Sequence, residues 1–178
     1  VGKLGLKRAE ETILEGGGRL AETAGVTMAE RCVLDGFTIT KVGLYDDAVW
    51  QKHHATSGND QDHDHIGKPG IAGVEVPNVN CHVLHNIVHH VGYTGIAISG
   101  NGLPSANPQI TDNICFRNMG GGIGFMKGAK GQAARNLCFE NFFAGIGHDN
   151  ASPTIVDNVC RNNIRAGIGI SVGACPIV

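Results

Sequence analysis

Several residues able to do chemistry crowd into one interval of this 178-residue chain, which carries nine histidines in all. His53-His54 is followed by Asp62-His63-Asp64-His65, and Glu75 and the pair His89-His90 stand a short way downstream. Imidazole nitrogens and carboxylates converging from a loop form the donor set of a divalent ion such as zinc, copper, nickel or calcium. On this reading His53, His54, Asp62, His63, Asp64 and His65 are the metal ligands. The same kinds of group also suit acid–base work. Glu75, His89 and His90 would then supply a general base for an acidic C–H or a water, with a second group as the acid. A third reading needs no chemistry: Asp-His-Asp-His is a polar, solvated run that keeps a long loop soluble.

What must position these groups is a repeat. The stretch from Ala151 to Ile170 recurs upstream at intervals close to its own length. Asn158 matches Asn136, Asn113 and Asn86, and Cys160 matches Cys138, Cys115 and Val88. Gly167-Ile168-Gly169-Ile170 likewise matches Gly145-Ile146-Gly147-His148, Gly122-Ile123-Gly124-Phe125 and Gly95-Ile96-Ala97-Ile98. The steps from Asn86 through Asn113 and Asn136 to Asn158 are 27, 23 and 22 residues. Self-similarity at that period predicts a solenoid, in which stacked neighbours make the core that no unit can make alone. The fixed leucines and helical return of leucine-rich repeats are missing. Each unit instead offers three short β-type pieces, such as Thr154 to Val156, Val159 to Arg161 and Ile168 to Ile170, divided by Asn-rich or Gly-rich corners.

With those motifs the chain resembles the right-handed parallel β-helix family, whose repeats read as an apolar residue, an Asn-containing bend, an apolar strand and then Gly-Ile-x-Ile. The likeness is close over Val74 to Val178 and looser over Ile13 to Thr40. It implies an all-β right-handed solenoid with three short strands per turn, carrying a long His/Asp-rich loop insertion over 41–72. The physics agrees: Asn tolerates the left-handed bend, and its amide can donate to one rung and accept from the next. Phe37 takes the Asn place in the earliest aligned turn, so the ladder should stop there. Residues 1–30 read as an opening turn with a strand over Glu11 to Glu15, and Lys7 to Glu11 can alternatively begin a short capping helix.

Strand alternation places Thr27, Glu75, Ala97, Gly124, Gly147 and Gly169 in one outward file if Ile96 and Ile98 point inward. In the polysaccharide lyases and hydrolases that share this fold, the resemblance implies a groove along this sheet lined by Asp, Arg, Lys or His. Here Glu75 is the one titrating side chain in the file. The paired Asp and Gly-His-Gly signature of polygalacturonases is absent, as is the Asp-Pro-His triplet of alginate epimerases. Bare glycine strands favour the close approach of another surface. Cys115, Cys138 and Cys160 should form a vertical file of apolar core thiols, with a soft-metal file as the alternative. His148 takes an inward Ile position and should be hydrogen-bonded and semi-buried, while His82 and His85 read as surface. The orientation of Ile87, Ile114, Leu137 and Val159 is open; facing outward, they form an apolar stripe that needs covering.

Composition sets the outer bounds. A formal charge of -2, 17% charged residues, 5% aromatic residues and 27 glycines describe tight corners and flat strands with no basic field for nucleic acid. No run has the apolar length of a membrane span, and no basic-then-apolar segment opens the chain. Ala174 to Val178 begins another unit, so the chain reads as one domain, 1–178, cut from a longer, exported protein. Its open ends would allow self-association. The function expected is a carbohydrate-associated or scaffold module that binds a polysaccharide or a partner protein along the Gly-rich sheet. A polysaccharide lyase or hydrolase is the second reading. A periplasmic metal-handling protein is the third, because the resemblance extends to β-helix proteins that help mature a copper enzyme.

Overall fold

The computed structural model describes residues 2–58, 71–101 and 106–178. The chain winds as a parallel β-solenoid of three sheets. Sheet A stacks β1 (Ile13–Glu15), β4 (Thr38–Thr40), β7 (Ile87–His89), β10 (Ile114–Phe116), β13 (Leu137–Phe139) and β16 (Val159–Arg161). Sheet B stacks β2 (Val26–Thr27), β5 (Val74–Pro77), β8 (Ile96–Ser99), β11 (Ile123–Met126), β14 (Ala144–Asp149) and β17 (Ala166–Ile170). Sheet C stacks β3 (Val33–Asp35), β6 (His82–Leu84), β9 (Gln109–Thr111), β12 (Gln132–Ala134) and β15 (Thr154–Val156). Each full turn runs C, A, B. Register pairs Cys115 with Cys138 and Cys138 with Cys160, so the expected thiol file is present inside the tube.

Alternation within three-residue strands decides what is core. Val83, Ile110, Ala133 and Ile155 fill the C side; Val88, Cys115 and Cys138 fill the A side; Val74, Ile96, Ile123 and Ile146 fill the B side. Full burial of each aliphatic side chain stabilises the fold by roughly 1.5–3 kcal/mol. The strands are too short to hold their own register, and the corners do that. Asn113 Oδ1 accepts from both the backbone and side-chain amides of Asn86, at 3.0 and 3.1 Å. Asn136 serves Asn113 in the same way, and Asn158 serves Asn136. The ladder ends at Phe37, whose N–H donates to Asn86 Oδ1 at 3.0 Å.

Two features of the corners differ from expectation. The left-handed residue is the one before each ladder Asn: His85 (φ 54°), Asp112 (58°), Arg135 (55°) and Asp157 (55°), with Gly36 (79°) below them. Asn is chosen there for its amide, and its neighbour bears the strain. A second ladder, Asn118, Asn141 and Asn163, lines the corner between sheets A and B, with Val91 N–H as its lowest donor.

Outside the tube lie two helices. The opening helix α1 (Gly2–Glu11) is longer than the capping helix the sequence allowed, and it covers the first corner of the second and third turns. Arg8 pairs with Asp35 at 2.8 Å, and Thr38 donates to the Ala9 carbonyl at 2.7 Å. Beneath it His85 is buried rather than on the surface, its Nδ1 2.9 Å from Asp35 Oδ1. The insertion over 41–72 is in part helical: α2 (Asp47–Ala55) starts at an Asp46 N-cap whose carboxylate accepts from the Val49 N–H at 3.0 Å.

Candidate functional site

The insertion leaves the tube at Lys41 and climbs its wall along the A–B corner. Tyr45 meets His90 on the third turn with ring centroids 4.6 Å apart. Trp50, one turn of helix later, donates its indole N–H to the Glu140 carbonyl at 2.8 Å and lies under the Arg117 guanidinium at 4.0 Å. His53 is buried edge-on against Phe142, at 5.1 Å. Met119, Phe142 and Ile164 receive this strap as a small second core. His54 stacks on Trp50 at 4.6 Å and is exposed. Adjacent helix positions point about 100° apart, so His53 and His54 are divided between the seam and solvent.

The remaining proposed ligands, Asp62, His63, Asp64 and His65, lie outside the described residues. Among the described residues no group of three or more His, Cys, Asp or Glu is placed to hold a metal ion. Glu75 stands exposed on sheet B, in register with Thr27 and Ala97. His89 points outward on sheet A between Thr40 and Phe116. Glu75 and His89 therefore occupy different faces, whereas His89 and His90 are brought together.

That histidine pair forms its own corner. The two Nδ1 atoms are 2.7 Å apart, and Thr40 Oγ1 is 3.2 Å from His89 Nδ1. Burial pushes His89 down to about 4, and the neighbouring His90 and Lys41 act the same way. Burial also lowers His90, with Arg117 adding to the effect and Asp47 opposing it. Both rings are therefore neutral at pH 7, and one donates to the other. Beside them opens a cavity of about 370 Å³ bounded by Gly18, Lys41 and Tyr45. Burial, then Asp47, pushes the Tyr45 hydroxyl up to about 12, so it is a hydrogen-bond donor throughout the ordinary range.

The larger concavity lies on sheet B. Its floor is the outward file the sequence implied: Gly124, Gly147 and Gly169 stacked in register above Ala97. The resulting groove, about 630 Å³, runs along the tube axis. Tyr93, Phe143 and Arg165 bound it on the A–B side, and Met126, Asp149 and Ser171 on the other. Arg165 stacks over Phe143 at 4.8 Å, and Ser171 holds the Asp149 carboxylate at 3.1 Å. The floor is open in detail: a Cβ on Gly147 would meet only the Ala144 methyl, at 3.8 Å.

Gly145, two residues earlier, is glycine for another reason. A Cβ there would fall 2.7 Å from both the Gly167 carbonyl and the Asn163 amide. Gly95, Gly122 and Gly145 thus make room for the second Asn ladder, and Gly124, Gly147 and Gly169, each after the Ile, leave the groove bare. Beneath the floor His148 is hydrogen-bonded as expected but buried rather than semi-buried, Nδ1 2.9 Å from the Gly169 carbonyl and its ring parallel to Phe125.

The wall residues were missed from sequence, although their signal was present. Tyr93, Gly120, Phe143 and Arg165 share one repeat position, two before the Gly of each Gly-Ile pair. The stripe of Ile87, Ile114, Leu137 and Val159 does face outward on sheet A. A family model described as a right-handed beta helix region matches residues 56–178. No curated protein and no solved structure matches the chain.

Proposed function

The chain belongs to the right-handed β-helix family, and from that premise we propose that it is a binding module for an extended polysaccharide, seated lengthwise in the groove of sheet B. The observation that carries this reading is the bare floor between an aromatic-and-cationic wall and a hydroxyl-and-carboxylate edge. Successive turns repeat about every 4.8 Å, so the groove presents one set of contacts per rung to a ligand that itself repeats. Apolar sugar faces stack on Tyr93 and Phe143, and hydroxyls reach Arg165, Asp149 and Ser171. No described helix is long and apolar enough to cross a membrane. An exported protein that meets polymers outside the cell is the setting this function needs.

Cleavage of the polymer by Glu75 with His89 or His90 has less support, because these groups stand on two faces of the tube. The test is titration with soluble neutral and acidic oligosaccharides of increasing length, alongside ultraviolet absorbance for unsaturated products. Affinity that grows with oligomer length, weakens in Tyr93→Ala and leaves the ligand intact is the expected result. Length-independent binding, or no binding to any oligomer, would overturn it.

A further inference from the structure

We propose that Cys32 and Cys81 are a modification site, a thiol pair that closes to a disulfide and staples the second turn of the solenoid to the third. The register of sheet C pairs Val33 with His82, which sets Cys32 opposite Cys81 one position earlier. Hydrogen bonds fix that alignment: His82 N–H donates to the Cys32 carbonyl at 3.0 Å, and Arg31 N–H donates to Asn80. Beside them the Glu30 carboxylate clamps Asn80, accepting from its backbone N–H at 2.8 Å and its side-chain amide at 3.1 Å. In-register parallel neighbours stand about 4.8 Å apart, within the span of roughly 4.4–6.8 Å that a disulfide bridges.

Access separates this pair from the other cysteines. All six are unbridged; Cys115 and Cys138 are sealed inside the tube and Cys160 is partly covered, whereas Cys32 is exposed and Cys81 buried behind it. Cys175 is exposed five turns further along the axis, beyond reach of Cys32. Burial, and then the nearby Cys32, push the Cys81 thiol up to about 11. Cys32 is therefore the group that opens the exchange. Its thiolate attacks a small-molecule disulfide such as oxidised glutathione, whose S–S bond breaks and releases one thiol. Cys81 then gives up its proton and attacks the Cys32 sulfur, releasing the second thiol; two protein thiols are oxidised and one small disulfide is reduced. The new bond closes a loop that contains the whole 41–72 insertion, so it constrains the unfolded chain as well.

The experiment treats the reduced, folded protein with oxidised glutathione, then combines intact mass with peptide mapping and a thermal melt. The expected result is loss of two hydrogens, a peptide linking Cys32 to Cys81, and a thermal midpoint several degrees higher. The exposed position makes Cys32→Ser a variant that keeps its fold, and it should show neither link nor shift. An unchanged mass, or a glutathione adduct on Cys32 with no link to Cys81, overturns the proposal.

Discussion

Trp50 and Glu140 stand 90 residues apart in the chain, yet the indole N–H donates to the Glu140 carbonyl at 2.8 Å. That bond fastens the insertion to the fifth turn of the tube. With the indole 1% exposed, Trp50→Ala should cost about 3–5 kcal/mol, the range for deleting a buried aromatic. Urea denaturation checks it; a loss under about 1 kcal/mol would mean that the strap is not part of the cooperative fold.

The Asn ladder should show a position effect. Asn136→Ala removes a fully enclosed rung, strands the backbone N–H of Asn113 and takes one partner each from the Asn113 side-chain amide and the Ile110 carbonyl. Each stranded group costs about 1–3 kcal/mol. Asn158→Ala, at a partly exposed rung, should cost less. Equal losses in the two denaturation curves would contradict the ladder account.

Acid should destabilise the histidine corner. An unfolded imidazole takes a proton near 6.5, while folded His89 resists until about 4. Between those values the unfolded chain binds more protons, so stability rises with pH and is lost on acidification through that window. His90 and His148, also lowered by burial, add in the same direction. Thermal midpoints measured from about pH 7 down to about pH 4 should fall. The slope should flatten in His89→Phe, whose ring can continue the stack of Phe116 on Phe139.

Two glycines two residues apart should behave oppositely. Gly145→Ala places a methyl against the Gly167 carbonyl and the Asn163 amide and should lower the thermal midpoint markedly. Gly147→Val points into open space and should leave it nearly unchanged.

The repeat made the tube legible in advance, because a residue such as Cys138 has one place in the period and the period is physical stacking. The outward glycine file and the inward His148 followed from alternation alone. What escaped was whatever leaves the period. Helix α2 has a short, mixed pattern whose one clear sign is the Asp46 cap, and no local rule says that Trp50 will seek a corner three turns above its exit. His85 looked like surface because a corner histidine usually is; α1, folding back from the chain start, buries it. The groove walls were hidden for a different reason. Tyr93 and Phe143 share a position and an aromatic ring, but Gly120 and Arg165 hold the same place in the neighbouring turns, so likeness of residue type could not align the four.

Whether a polymer lies on the glycine floor of sheet B is tested by retention of wild type and Gly147→Val, side by side, on columns of immobilised polysaccharide. At least one polymer should retard the wild type, while the equally stable variant elutes with non-binding protein. Equal retention of both, or passage of the wild type through every column, would contradict it.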